Sequence, residues 1–462
     1  MSEYAIIMTA DRSPRIRQSQ PNALAEVLFK PAVSWVVDAC LKAGLKTLCV
    51  ATQQDSEQIK AVLPEECSLA VQKEDNLSSA LQAAQDFIKE AEGHNVILLD
   101  ASTPLVDAKL LLSSLKKHLV SRAKLTGIMV DAPKPKDEIP LFPNQKIIKV
   151  HKKLKNGEEE TSSKKVISEI CWFCADFLQK VYKEHFEEGQ SKDYTVYTLL
   201  SREILGRKSA ALYDYDRKSL LLRVIGRKEL LKLNETARRQ IVDRLLCNGV
   251  NFYCRDGIVI GPDVVIGEDT TIAPGTQLKG HVTIGKECSI GPNTIIEDST
   301  VGDHTTIHSS LIESSKVGSG VRIGPNSHLR PNSVLADKVK IGNFVEIKNS
   351  TLGEKTSVAH LTYIGDSDFG SRINVGCGVV TVNYNGYRKF RSCVEDDAFI
   401  GCNTNLVSPV HVGRGAYVAA GSTITNDVSA DSLAIARARQ CDKEGWAVSY
   451  REKELLEKQK KQ

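Results

Sequence analysis

From about Ile258 to Val428, aliphatic residues recur every six positions. The first run is Ile260, Ile266, Ile272, Leu278, Ile284, Ile290 and Ile296, without a break. After a slip the beat returns as Leu311, Val317, Ile323, Leu329, Leu335, Ile341 and Ile347. It recurs at Val358 and Ile364, and again at Ile400, Leu406, Val412, Val418 and Ile424. Glycine often follows directly, as at Gly261, Gly267, Gly285 and Gly291. A period of six matches neither the α-helix nor the strand, whose side chains repeat every ~3.6 and ~2 residues. It fits a solenoid in which each hexapeptide forms one flat face, buries one aliphatic side chain and turns a corner. With three faces a coil takes about 18 residues and pairs with the coils above and below it. Chance hairpins would not hold one spacing through three separate blocks.

Ahead of this array, short apolar runs alternate with longer amphipathic ones. AIIM (5–8), LCVA (48–51) and NVILL (95–99) read as strands; PAVSWVVDACLKAG (31–44) and SSALQAAQDFIKEA (78–91) read as helices. That alternation predicts an α/β domain with a mostly parallel sheet, its ligands in the loops after Met8 and Leu99. KVHKKLKNGEEETSSKKV (149–166) is a charge-rich loop or hairpin. ISEICWFCADF reads as a buried strand, making Cys171 and Cys174 small buried hydrophobes rather than a redox or metal pair. Leu233, Ala237, Ile241 and Leu245 mark one face of an amphipathic helix over 227–250, joining the two halves. The expected organisation is therefore 1–226, a linking helix at 227–249, the solenoid at 250–440 and a tail at 441–462 with a terminal helix in YREKELLEKQKKQ.

Bulk properties exclude several function classes. A net charge of +4 with 26% charged residues suggests neither a nucleic-acid nor a membrane partner. The opening MSEYAIIMTADR lacks the pattern of a signal peptide, and no apolar run approaches the ~20 residues that cross a bilayer. Twelve scattered cysteines then read as reduced thiols, and the expected location is the cytoplasm.

Chemistry-bearing residues gather late in the array. Arg330 and Lys348 are eighteen residues apart, which in an 18-residue coil stacks them on adjacent turns. Stacked cations repel unless an anion joins them, and a phosphate suits the planar fork of arginine. His360 lies beside an aliphatic step and should point outward, one coil further along the same column, with Tyr363 nearby. INVGCGVVTVNYNG (373–386) is glycine-rich and carries Asn374, Asn383 and Tyr384; backbone amides around Gly376 to Gly378 are candidates for stabilising an oxyanion. The rhythm breaks between Ile364 and Ile400, where VTVNYNGYRKFRS (380–392) should leave the coil as a loop bearing Lys389.

With these residues in view, the chain resembles the bifunctional N-acetylglucosamine-1-phosphate uridyltransferase / glucosamine-1-phosphate acetyltransferase (GlmU) family. The strings LRP, GNFVE, HLTY-GD, NYNG-KF, G-NT-LV-PV-VG-GA and KEGW carry the resemblance. It implies a Rossmann-like nucleotidyltransferase half, a left-handed parallel β-helix, a homotrimer, and a place in UDP-N-acetylglucosamine supply for the cell wall. Residue by residue, His360 falls where the family has its catalytic base. Arg330, Lys348, Tyr363, Asn374 and Lys389 fall where it binds the sugar phosphate. Cys377, Asn383, Tyr384, Cys402, Ala420 and Arg437 fall where it binds acetyl-CoA, with Cys377 replacing a common alanine and Cys402 a common serine. Imidazole, with an ordinary pKa of about 6.5, suits proton acceptance from an amine attacking a thioester. A ping-pong route through Cys377 or Cys402 is the rival, weakened because no histidine is close in sequence to either.

The first half departs from the family's pattern. Where the family has L-A-A-G-x-G-T-R-M, this chain reads MTADRSPRI (8–16): Asp11 and Ser13 replace both glycines, Pro14 lacks an amide donor, and Arg15 alone is kept. Asn22 stands at a lysine position, and QKEDNLSSALQA (72–83) replaces a glycine-rich segment. Ser102 and Gly226 stand where the family has its two magnesium ligands, although Asp100 is close by, and EICWF (169–173) replaces E-x-N-T-G. The expectation is an acetyltransferase whose first half binds no Mg²⁺ and has lost uridylyl transfer. The alternatives are a fully bifunctional enzyme and a non-catalytic assembly or regulatory protein, since some translation-factor subunits join the same two folds.

Overall fold

The computed structural model describes residues 3–10, 14, 16–17, 19–134, 137, 139, 141, 147–152, 161–185 and 210–460. They form two compact units, Met1–Cys247 with Val259–Val264, and Asn248–Ile258 with Val265–Gln462.

The first unit is built on one mixed sheet. Its order is Ala210–Tyr215, Leu125–Asp131, Thr161–Cys174, Asn95–Asp100, Tyr4–Met8, Lys46–Thr52, Cys67–Gln72. Tyr4–Met8 runs parallel to both its neighbours, and every residue in it is buried. The expected mostly parallel sheet needs one correction. The long strand Thr161–Cys174 runs antiparallel to Asn95–Asp100, to Leu125–Asp131 and to its hairpin partner Ile147–Lys152. Residues 153–160, the centre of the charge-rich segment, lie outside the described ones. Cys171 and Trp172 are fully buried, burial pushes the Cys171 thiol up, and the Trp172 indole donates to Ser114 Oγ at 2.9 Å. The single helix expected over 78–91 is two, Leu77–Ala83 and Gln85–Glu90. The break falls at Ala84 (φ −92°, ψ 4°), a bend that leaves both Ala84 and Ile88 inside the core. The helix Arg227–Cys247 buries Leu233, Ala237, Ile241, Val242 and Leu245, and it is part of the first unit.

The second unit winds through three parallel sheets of 11, 10 and 9 short strands. A typical step is Val265–Ile266, with the valine outside and the isoleucine inside. Buried corner hydroxyls satisfy carbonyls that the ladder leaves over, as when Thr270 Oγ1 donates to Gly285 O at 2.7 Å and Thr356 Oγ1 to Gly370 O at 2.7 Å. The first run of seven aliphatics is buried throughout except for slight exposure. The second run begins one residue later than its spacing suggested, because Ile312 is buried while Leu311 is turned outward. Val301 and Ile307, outside the six-residue count, are also inward steps. Two corners between them lose one residue each, so Ile296 pairs with Ile312 only sixteen positions on, against eighteen for Leu278 and Ile296. Burial sets the alternation, and the corner absorbs the deletion. The helix Trp446–Lys460 follows the last coil and buries no residue. No described helix is long and apolar enough to cross a membrane.

The corrected register has a measurable consequence. Ile312→Ala should cost about 2–5 kcal/mol in denaturant unfolding of this unit, the range for deleting a buried branched side chain. Leu311→Ala should cost under about 1 kcal/mol, and the opposite ranking would restore the uncorrected spacing.

Candidate functional site

Two columns of outward side chains lie on adjoining faces of the solenoid, each before its own left-handed corner. In the 11-stranded sheet Asn343 pairs with His360, and the pairings Val358 with Val375, Val375 with Ile400 and Ile400 with Val418 extend that column to Cys377, Cys402 and Ala420. The backbone repeats one bond along it. Leu361 N–H donates to Asn343 O (3.0 Å), Gly378 to His360 (3.3 Å), Asn403 to Cys377 (2.7 Å) and Gly421 to Cys402 (2.8 Å). Each of those donors is left-handed, with φ of 46°, 74°, 54° and 74°. So every column residue sits immediately before a sharp corner, where its side chain has room. His360 is exposed there.

The second column belongs to the 10-stranded sheet, at the far end of the next face, where Asn349 (φ 46°) and Asp366 (φ 48°) turn the corner after Lys348 and Gly365. Leu329 pairs with Ile347 and Lys348 with Gly365, which stacks Arg330, Lys348 and Gly365. Arg330 and Lys348 therefore share a face as the spacing implied. His360 does not join them. It follows Lys348 by twelve residues, two hexapeptide steps rather than a full coil, and so lies on the adjoining sheet.

Tyr363 links the two columns. A Cβ on Gly365 would meet Tyr363 Oη at 2.3 Å and Asn383 Nδ2 at 2.8 Å, so the phenol occupies the place that a side chain at 365 would fill above Lys348. Asn383 Nδ2 lies 3.5 Å from Tyr363 Oη and donates to Asp366, whose other oxygen accepts from Asn349. Arg330 donates to Glu346 at 2.8 Å, and that bond holds its pKa above the ordinary arginine value. Lys348 is held below the ordinary lysine value, chiefly by its contact with Lys389, then by desolvation and by the charges of Lys389 and Arg330, with Asp366 opposing. Three cations thus converge, and among the described residues only Arg330 of the three is ion-paired with a carboxylate. That arrangement suits a phosphate.

Lys389 comes from the excursion, which is shorter than expected. Val380–Val382 stays in the ladder, and Asn383 to Arg391 leaves it as a small hairpin closed by the Tyr384–Lys389 bridge. Asn385 Oδ1 accepts from the Tyr387 and Arg388 amides and shapes its tip. Tyr384 is exposed and donates to Gly386 O at 2.6 Å. Arg437 lays its stem 3.6 Å from the Cβ position of Gly421, at the end of the His360 column. Asn374 stands in another column of the 11-stranded sheet, between Ser357 and Phe399, away from the cations of its own chain. Gly376 and Gly378 spend their N–H groups on Ile400 O and His360 O, so neither is free for an oxyanion. Glu346, Asp366 and Asn349 were missed in the sequence, though Glu346 is one short coil beyond Arg330.

The first unit offers a different picture. Asp11, Ser13 and Arg15 lie outside the described residues. Asn22 is buried, accepts from Ile16 N–H at 2.9 Å and donates to Pro14 O at 3.3 Å, so it ties the first loop down. Asn76 caps the helix Leu77–Ala83 by accepting from Ser79 N–H. At the carboxyl end of Asn95–Asp100, Arg223 reaches three acceptors: Ser102 Oγ at 2.9 Å, Glu169 Oε2 at 3.0 Å, and Asp100 Oδ2. A magnesium ion needs oxygen ligands in near-octahedral array. Here a guanidinium holds the oxygens instead, so the residues do not fit the metal. Among the described residues, no group of three or more His, Cys, Asp and Glu is arranged to hold a metal ion.

Comparison with known proteins places these features. Residues 250–347 match the family described as the EIF2B subunit epsilon LbH domain, and residues 393–426 match the hexapeptide repeat of succinyl-transferase. Together with the three parallel sheets, these matches make the second unit a left-handed parallel β-helix. The bifunctional protein GlmU of Acetivibrio thermocellus is 33% identical over 96% of this chain and 97% of its own. That of Geobacillus sp. strain WCH70 is 36% identical over 96% and 98%, and that of Clostridioides difficile 35% identical over 98% and 99%.

The cation cluster makes a signed prediction about pH. A neighbouring positive charge disfavours the protonated ammonium, so Lys389→Met should raise the Lys348 pKa towards the ordinary value, read by ¹³C NMR of the lysine Cε. Binding of a phosphate monoester should raise it also. Affinity should then fall as pH climbs through the depressed Lys348 pKa, earlier than for an isolated lysine.

Proposed function

The chain belongs to the bifunctional GlmU family, and we propose that it transfers the acetyl group of acetyl-CoA to the amine of glucosamine-1-phosphate while its first unit performs no uridylyl transfer. The observation that carries the acetyl half is the phosphate-suited cluster of Arg330, Lys348 and Lys389, with an exposed imidazole on the adjoining face of the coil. Arg330, Lys348 and Lys389 hold the sugar phosphate, with Tyr363 over Lys348. The His360 column, running through Cys377, Cys402 and Ala420 to Arg437, receives acetyl-CoA. Held this way, the amine nitrogen attacks the thioester carbonyl, the N–C bond forms, the C–S bond breaks and coenzyme A leaves as the thiol. His360 takes the proton that the nitrogen loses and returns it to the departing sulfur. An amine with a pKa near that of an α-amino group is only about 10–20% neutral at pH 7, so a positioned acceptor matters. The N–H of Cys377, unlike those of its two glycine neighbours, makes no bond among the described residues and is the donor best suited to the oxyanion.

Arg223, standing among the oxygens where magnesium would be needed, supports the second half of the reading. A homotrimer, cytoplasmic location and a role in UDP-N-acetylglucosamine supply belong to the same proposal. Two other readings each have an observation in their favour. The match over 250–347 to a domain described as that of an EIF2B subunit bears on the assembly or regulatory reading, but that range stops before Lys348 and His360. The register neighbours His360 and Cys377 favour a ping-pong route, because separation in sequence does not keep the imidazole from the thiol. No hydrogen bond joins the two among the described residues.

His360→Ala should lower acetyl transfer by about 10²–10⁴-fold, measured as thiol release from acetyl-CoA with glucosamine-1-phosphate. Cys377→Ala should leave the rate largely intact. Its loss alongside an acetylated wild-type cysteine would replace direct transfer by the ping-pong route, and a wild type that releases no thiol would leave the non-catalytic reading standing.

A further inference from the structure

We infer that Arg223 is a tethered cation occupying the place of a divalent metal in the first unit, balancing Asp100 and Glu169 so that no ion binds there. The inference deepens the proposal that this unit does no uridylyl transfer, but it stands on four side chains. Arg223, Asp100 and Glu169 have side chains only 5%, 5% and 9% exposed. Two carboxylates that deep repel each other and require a cation between them. The fork of the guanidinium spans both, one nitrogen on each, and its Nε uses Ser102 Oγ as a third acceptor at 2.9 Å. The backbone locks the arrangement: Ser102 N–H donates to Asp100 Oδ1 at 2.8 Å, and Val224 N–H, the next residue after Arg223, donates to Ser102 O at 2.8 Å. Carboxylate and hydroxyl oxygens around one cation are what Mg²⁺ or Mn²⁺ takes, and here all three oxygen-bearing side chains face an arginine. Serine at 102 is then only part of the loss. A carboxylate restored at that position would still meet the guanidinium.

That consequence distinguishes the inference from simple decay of a ligand set. Mn²⁺ binding to the full-length chain, followed by electron paramagnetic resonance of the free ion, should show no stoichiometric site in the wild type or in Ser102→Asp. The double variant Arg223→Ala/Ser102→Asp should gain one site per chain, lost again when Asp100→Asn is added. A double variant that folds only with Mn²⁺ present supports the inference equally. Stoichiometric binding by the wild type or by Ser102→Asp, abolished by Asp100→Asn, would overturn it. So would a folded double variant that gains nothing. If the double variant does not fold at all, the Ser102→Asp arm decides. Pyrophosphate release from UTP by a wild type that binds no Mn²⁺ would sink the broader reading of the first unit and leave this one intact.

Discussion

Each coil of the second unit is held on the next by a backbone ladder and a stack of buried aliphatic side chains, and the rest of the site depends on that registration. Slipping one residue would turn an inward isoleucine to water and an outward polar residue into the core, a change the buried stack does not tolerate. Because the register is held so firmly, residues far apart in sequence are brought to fixed neighbouring positions. His360, Cys377, Cys402 and Ala420 lie along one line, each before a left-handed corner. Arg330, Lys348 and Gly365 lie along another. The excursion then adds Lys389 and Asn383 to that frame.

The electrostatics follow from that frame. A column of like charges is unfavourable, and the contact with Lys389, burial and the neighbouring charges hold the Lys348 ammonium below its ordinary pKa. Glu346 relieves it for Arg330 alone. The residual positive charge is what a phosphate would neutralise, so the column favours binding of an anion. Tyr363 uses the space that glycine at 365 leaves open, which places a hydroxyl at the edge of the cations, on the side facing the imidazole column.

Much of this was legible in the sequence because the period is so regular. The aliphatics of the first run are inside, and the cations at 330 and 348 do stack. What was illegible has physical reasons. Five-residue steps keep the inward alternation but break a six-residue count, so Ile312 was mistaken for its neighbour Leu311. Counting along the chain put His360 in the cation column, whereas a three-faced coil puts a residue two steps on in the adjoining sheet. The bend at Ala84 and the antiparallel strand Thr161–Cys174 are set by tertiary packing, which local pattern does not encode. Arg223 had no signal at all, since its partners at 100, 102 and 169 come from distant strands.

The two units thus treat charge in opposite ways. The first surrounds its carboxylates with a fixed guanidinium and closes the position to a metal; the second gathers cations that nearby carboxylates balance only in part, a position suited to an anion. The most direct measurement is ³¹P NMR of the full-length wild type incubated with glucosamine-1-phosphate, acetyl-CoA, UTP and Mg²⁺. The account predicts conversion to N-acetylglucosamine-1-phosphate with UTP left intact. Appearance of UDP-N-acetylglucosamine and pyrophosphate, or an unchanged glucosamine-1-phosphate signal, would contradict it.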